Sequence, residues 1–180
     1  MIFVIKNTID DKHTKYFKKL IRFLQSIKIK YCISSSYEEL LLNLEVYIPS
    51  GFILSGSPIM FTKKDYERYE NYFTMNIYIL ENFSLKIPIF GICFGAQLIS
   101  LWFGGKLKKI EFFCETKLNY HFCLHYILES KPFGFNSLVS LDNFGYIFLQ
   151  KKNIFISFFH PEYHKKTWKF LINFLDLCNK

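Results

Sequence analysis

The sequence predicts an α/β protein: a mostly parallel sheet with helices on both faces, plus extra antiparallel strands in the C-terminal half. Three observations carry that expectation. Short apolar runs suited to buried strands alternate with helical periodicity, turn residues close most of the runs, and beyond Gly105 the periodicity gives way to extended Phe-, Tyr- and Ile-rich segments. The 180 residues are 51% apolar and 21% charged, enough for one core, and residues 1–180 are read as a single domain.

Residues 2–5 form the first apolar run, a buried strand, and Asp10 and Asp11 are the expected start of a helix. Phe17, Leu20, Ile21, Leu24 and Ile27 then recur at spacings of three and four, one apolar stripe. A strand over 30–34, a helix over 37–44 and a strand over 51–55 follow, the last closed by Gly56, Ser57 and Pro58. A polar helix over 63–73, a strand over 87–92 and an apolar helix over 96–103, stopped by Gly104 and Gly105, complete the alternation. Extended segments are expected at 106–113, 117–128, 137–141, 145–149 and 154–159. Trp168, Leu171, Ile172 and Leu175 restore helical spacing at the end.

Composition excludes several classes. One residue in five is aromatic, whereas Gly and Pro number only 8 and 5, so collagen-like and low-complexity chains are ruled out. No apolar run approaches the roughly 18 residues of a membrane span. The apolar start turns polar at Lys6 and Asn7 without a small-residue cleavage site, unlike a secretory leader. Five cysteines, odd in number and without a C-x-x-C pair, argue against a disulfide framework or structural zinc. A reduced, cytoplasmic protein is expected. The net charge of +8 comes mostly from residues 1–30, where eight Lys/Arg face two Asp. This basic surplus reads as a solvated helix face or as a docking surface for an acidic partner or nucleic acid. No nucleic-acid motif accompanies it, no phosphate-binding glycine loop occurs, and His13, His121, His125 and His164 make no metal-ligand spacing. Neither metal nor cofactor is expected.

The chemistry concentrates in three segments. Gly91, Ile92, Cys93, Phe94 and Gly95 form G-x-C-x-G between a strand and a helix, the form of a nucleophile elbow. The helix N-terminus at Cys93 would favour its thiolate. His160, Pro161 and Glu162 end another strand; in extended chain the first and third share a face, so Glu162 can orient His160 as the base. The turn at 54–58 can aim a backbone N–H at an anion, half of an oxyanion hole completed by the Phe94 N–H. Taken singly, each has a plainer reading: a small buried cysteine, a surface turn, a tight turn.

Together, in this order, the segments resemble class I glutamine amidotransferase domains, of the GMP-synthase-like and γ-glutamyl-peptidase-like branch. Gly91, Cys93, Gly95 and Gln97 fit the family's G-x-C-x-G-x-Q, and His160, Pro161 and Glu162 its H-P-E. The resemblance implies a flavodoxin-like fold and a Cys93, His160, Glu162 triad. It also implies an oxyanion hole at Ser57 and Phe94, and substrate contacts at Gly56 and Gln97. Cys93 would attack the side-chain amide of glutamine, release ammonia and leave a thioester that water hydrolyses. His160 is expected within or just beyond hydrogen-bond reach of the Cys93 sulfur. Three positions depart from the pattern: Ser57 before Pro58, Phe158 two residues before the histidine, and Tyr126 and Ile127 after His125, where GMP-synthase-type domains have His-Gly-Asp. Because the chain ends about 20 residues after the triad, no synthase domain is expected within it, and three fates stay open for the ammonia: transfer to a separate synthase subunit, release to solvent, or no role as the relevant product. The partners are glutamine or another γ-glutamyl compound, with no nucleic acid and no membrane. Two alternatives stay open: a γ-glutamyl peptidase using the same triad, and a weakly active or inactive binding and regulatory module.

Overall fold

The structure, a computed structural model, describes residues 1–9, 14–142 and 144–179. Asp10 and Asp11, read as helix starts, lie outside the described residues. Five strands form the parallel part of the central sheet: β1 (Ile2–Ile5), β2 (Tyr31–Ser34), β3 (Gly51–Leu54), β4 (Ile89–Ile92) and β11 (Ile154–Ser157). Between β4 and β11 the chain adds β5 (Lys106–Phe113), β6 (Thr116–Lys117), β7 (Tyr120–His121), β8 (Leu124–Ser130), β9 (Asn136–Leu141) and β10 (Gly145–Lys151). The seven-stranded sheet runs β2-β1-β3-β4-β11-β10-β9, with β10 and β9 antiparallel, and β5 pairs with β8 in a separate two-stranded sheet. The order 2-1-3-4 followed by β11 is the flavodoxin-like arrangement.

Every residue of β1, β3, β4 and β11 is buried, as strands covered on both faces require. The helices are α1 (Thr14–Ser26), α2 (Tyr37–Val46), α3 (Lys63–Arg68), α4 (Glu70–Phe83), α5 (Phe94–Trp102) and α6 (Trp168–Cys178). Successive residues of β4 show which covers which face. Phe90 meets Phe174 of α6, ring centroids 5.5 Å apart, and Gly91 lies against Ile99 of α5. α1 joins α6 through Phe23 and Trp168, edge to face at 5.0 Å, and α4 joins α5 through Phe73 and Phe94.

Three expectations need correction in detail. The helix over 63–73 is two: Tyr69, at φ −122° and ψ 28°, breaks it, and α4 continues to Phe83. The extended segment over 117–128 is interrupted by a hairpin turn, because Leu118 and Asn119 both take positive φ, the backbone that a two-residue type I′ turn demands. In α1 the buried face includes Tyr16 and Phe23, while Ile21, and Ile27 just beyond the helix, are half-buried, so the helix is rotated slightly from the expected stripe.

Candidate active site

β3, β4 and β11 are adjacent and parallel, so the loops leaving their C-terminal ends emerge side by side. Those loops carry Gly56 and Ser57, Cys93, and His160 to Glu162 respectively. The topology thereby converges the three segments read from the sequence.

Cys93 sits between β4 and α5 at φ +51° and ψ −104°, a backbone region that side-chain-bearing residues rarely occupy. Its flanking glycines permit this by close approach. A Cβ on Gly91 would lie 2.7 Å from the Gly95 carbonyl carbon, and one on Gly95 would overlap the Leu54 carbonyl oxygen at the end of β3. The helix therefore starts directly on the sheet edge. The Phe94 N–H favours the ionised sulfur, as expected of a helix N-terminus. Burial nevertheless pushes the thiol well up, the neighbouring Cys123 thiol adds to this, and the Phe94 N–H only partly opposes it. The expected thiolate is thus corrected to a neutral thiol, which donates a hydrogen bond to the Cys123 carbonyl at 3.2 Å rather than to His160.

His160 Nδ1 lies 2.7 Å from Glu162 Oε1, both side chains buried. The mechanism of that approach differs from the strand reading. β11 ends at Ser157, and residues 160–163 form a β-turn with Pro161 at its second position, closed by the Tyr163 N–H donating to the His160 carbonyl at 3.1 Å. Among the described residues Glu162 Oε2 is buried without a hydrogen-bond partner, which leaves the imidazole as the group that compensates the carboxylate.

Gly56 is the meeting point. A Cβ there would stand 3.0 Å from His160 Cε1, 3.3 Å from Cys93 Cβ and 3.7 Å from His160 Nε2. A buried amide network fixes this loop: the Asn7 backbone N–H donates to Ser55 Oγ, Asn7 Nδ2 to the Ser55 carbonyl, and Asn76 Nδ2 to Asn7 Oδ1. Ser57 Oγ accepts from the Ile59 N–H at 3.2 Å, a local turn contact.

A cavity of about 360 Å³ opens in front of these groups. Cys93, His160, Gly56 and Ser57 line it; Gln97 and Glu162 do not. Gln97 is buried in α5, its N–H donating to the Cys93 carbonyl, and the Phe94 ring is buried against Phe61 and Phe73. Pro58 and His125 complete one wall, His125 packing on Phe112 with ring centroids 4.7 Å apart. Tyr16, Phe112 and Cys123 also line the cavity and were not read from the sequence. No local signal in the sequence marks them: it is the strand register, with Phe113 opposite Leu124 and Thr116 opposite His121, that brings Cys123 opposite Cys114 across the hairpin.

Among the described residues, no group of His, Cys, Asp and Glu is arranged to hold a metal, and no helix is long and apolar enough to cross a membrane. All five cysteines are free.

Comparison with known proteins adds the family. The model of glutamine amidotransferase class-I matches residues 8–136. A GMP synthase (glutamine-hydrolysing) of Wolinella succinogenes is 32% identical over 103 residues, covering 56% of this chain and 18% of its own length. That of Nitratiruptor sp. is 27% identical over 190 residues, covering 91% of this chain and 35% of its own. The chain thus spans a third or less, roughly, of these curated relatives. Among solved structures, a Thermoplasma acidophilum protein provisionally assigned as one of the subunits of GMP synthase superposes with a TM-score of 0.74, covering 99% of this chain and 93% of that one. At 19% identity, that likeness is one of fold.

Proposed function

The chain belongs to the class I glutamine amidotransferase family, and from that premise we propose that it hydrolyses the side-chain amide of glutamine, as one domain over residues 1–180. Cys93 is the nucleophile, His160 the general base and acid, and Glu162 the group that orients His160. The supporting observation is the convergence at Gly56, where a single added Cβ would touch both the Cys93 side chain and the imidazole.

The steps follow from the residues. The Cys93 thiol leaves the Cys123 carbonyl and passes its proton to His160 Nε2, while Glu162 on Nδ1 stabilises the imidazolium. The thiolate attacks the amide carbon, and the carbonyl oxygen becomes an oxyanion facing the N–H groups of Ser57 and Phe94. The imidazolium protonates the leaving nitrogen, ammonia departs, and a glutamyl thioester remains. Water, deprotonated by His160, cleaves the thioester to glutamate and the free thiol. Burial of Cys93 suits this cycle, because a sulfur that stays neutral at rest ionises only when the imidazole takes its proton. Gly56 abuts the substrate; Gln97 supports the elbow from within α5. The relatives' name, and that of the Thermoplasma acidophilum neighbour as a GMP synthase subunit, support delivery of ammonia to a separate synthase subunit of GMP-synthase type.

The test is to incubate the chain with glutamine, glutathione and other γ-glutamyl compounds, alone and with a synthase subunit, following ammonia and glutamate. Glutamine turnover that disappears in Cys93→Ala is expected. Turnover confined to γ-glutamyl peptides would make it a peptidase. No turnover, with no labelling of Cys93 by a glutamine-mimicking electrophile, would refute the enzyme in favour of a binding module.

A further inference from the structure

One face of the His160 ring is covered by a residue from the other end of the chain. Tyr16, in the first turn of α1, stacks on it with ring centroids 4.1 Å apart and planes 24° from parallel. The Tyr16 hydroxyl is itself held, 2.9 Å from His121 Nε2, and the other nitrogen of His121 lies 3.0 Å from Thr116 Oγ1. His121 returns to the catalytic turn twice. Its carbonyl accepts the His160 N–H at 2.7 Å, and its ring stacks on Tyr163 at 3.8 Å, the residue that closes the 160–163 turn. The contacts thus form a closed circuit: His160 to His121 through the backbone, His121 to Tyr16 through the hydroxyl, and Tyr16 back to the His160 ring.

The circuit addresses a freedom that the Glu162 contact leaves. A single hydrogen bond at Nδ1 fixes the direction of that nitrogen, but the ring can still rock about the bond, and rotation about the last side-chain torsion of histidine is broad. Nε2 would then swing across the cavity. A flat ring packed on one face resists that motion, and a hydroxyl tied to a second strand keeps the packing ring in place. Both members are suited to a constant hydrogen bond. Burial pushes the Tyr16 phenol far up, and burial together with His160, His164, Lys15 and Lys19 pulls His121 down to about 4, so at neutral pH both are uncharged.

We propose that Tyr16 and His121 are positioning residues for His160, a clamp that sets the plane of the imidazole so that Nε2 faces the Cys93 sulfur. The proposal rests on the amidohydrolase reading for its catalytic consequence, but the clamp itself is observable without turnover. It assigns Tyr16 no bond to substrate.

The experiment combines kinetics with NMR of the imidazole resonances in the full chain. Tyr16→Leu is expected to move the His160 ring protons out of the shielding of the Tyr16 face and to lower kcat ~50-fold, with KM changed by less than ~3-fold. Tyr16→Phe keeps ring and volume but releases His121; its expected kcat loss is ~5-fold, again with little change in KM, His121 loses its hydrogen-bonded shift, and the His160 resonances move, though less than in Tyr16→Leu. His121→Gln, which retains a side chain able to bond the phenol, should fall between wild type and Tyr16→Phe. Wild-type His160 resonances and kcat in Tyr16→Phe, or unmoved His160 resonances in Tyr16→Leu, would overturn the clamp, and the first criterion stands even if Tyr16→Leu fails to fold. If the wild-type chain turns over nothing, the hydrolase reading fails and the resonances alone decide the clamp.

Discussion

The two sides of the site are built by different physics. On the Cys93 side the backbone does the positioning: a residue at positive φ, held between glycines so closely packed that a methyl group at Gly95 would collide with the Leu54 carbonyl. On the His160 side the backbone is an ordinary proline turn, and side chains do the positioning, through Glu162 at 2.7 Å and the Tyr16 ring at 4.1 Å. The difference teaches where each side is fragile. Steric defects on the first side should reach the fold, because strand and helix share those atoms; polar defects on the second should reach the chemistry and spare the fold.

The largest effect that sharpens this contrast is on the second side. Glu162→Gln is expected to lower kcat ~10³-fold while thermal unfolding shifts little, since the amide retains the shape but not the charge that supports an imidazolium. A comparable loss of Tm would show that the carboxylate is structural. On the first side, Gly95→Ala is expected to destabilise the protein by ~3 kcal/mol, read from urea denaturation, because the collision is with backbone that cannot swing aside. An unchanged midpoint would break the comparison.

Gly56→Ala probes the seam between the two sides. Its methyl would stand 3.0 Å from His160 Cε1, so the ring must yield by a few tenths of an ångström, and a ~10-fold loss of kcat with a native midpoint is expected. The smallest effect is in pH. His121 is held down to about 4, first by burial and then by the charges of His160, His164, Lys15 and Lys19; Tyr16, Tyr163 and Thr116 also pack on it. The unfolded chain takes up this proton near pH 6.5 and the folded chain only near 4. The contribution is therefore fully present above about pH 6.5 and is lost as pH falls toward 4. Tm measured across that window should decline, and decline less steeply in His121→Gln.

The same division explains what was legible in the amino-acid sequence. The elbow was legible because the strained backbone restricts residue choice: Gly91 and Gly95 are visible as letters at a fixed distance from Cys93. The alternation through β4 was legible for a similar reason, since fully buried strands must be apolar throughout, whereas the place of β11 beside β4 came only from the sheet order. His160 and Glu162 were found by their spacing, although the turn, not an extended strand, joins them. The clamp was not legible. Nothing local distinguishes Tyr16 from the other tyrosines of the chain, and its role arises only when α1 is laid over a hairpin that begins a hundred residues later. That hairpin was itself hidden, because Leu118 is an unfavourable residue for positive φ and gives no turn signal. The neutral state of Cys93 was missed because the helix terminus is local in sequence while the burial that outweighs it is not.

The measurement that bears most directly on the account is mass spectrometry of the intact and digested chain after treatment with a glutamine-mimicking electrophile. One adduct is predicted, on Cys93, suppressed by excess glutamine and slowed strongly in His160→Ala, with Cys114 and Cys123 unmodified. Labelling of Cys114 or Cys123 in its place, or labelling of Cys93 at the same rate with and without glutamine and His160, would contradict it.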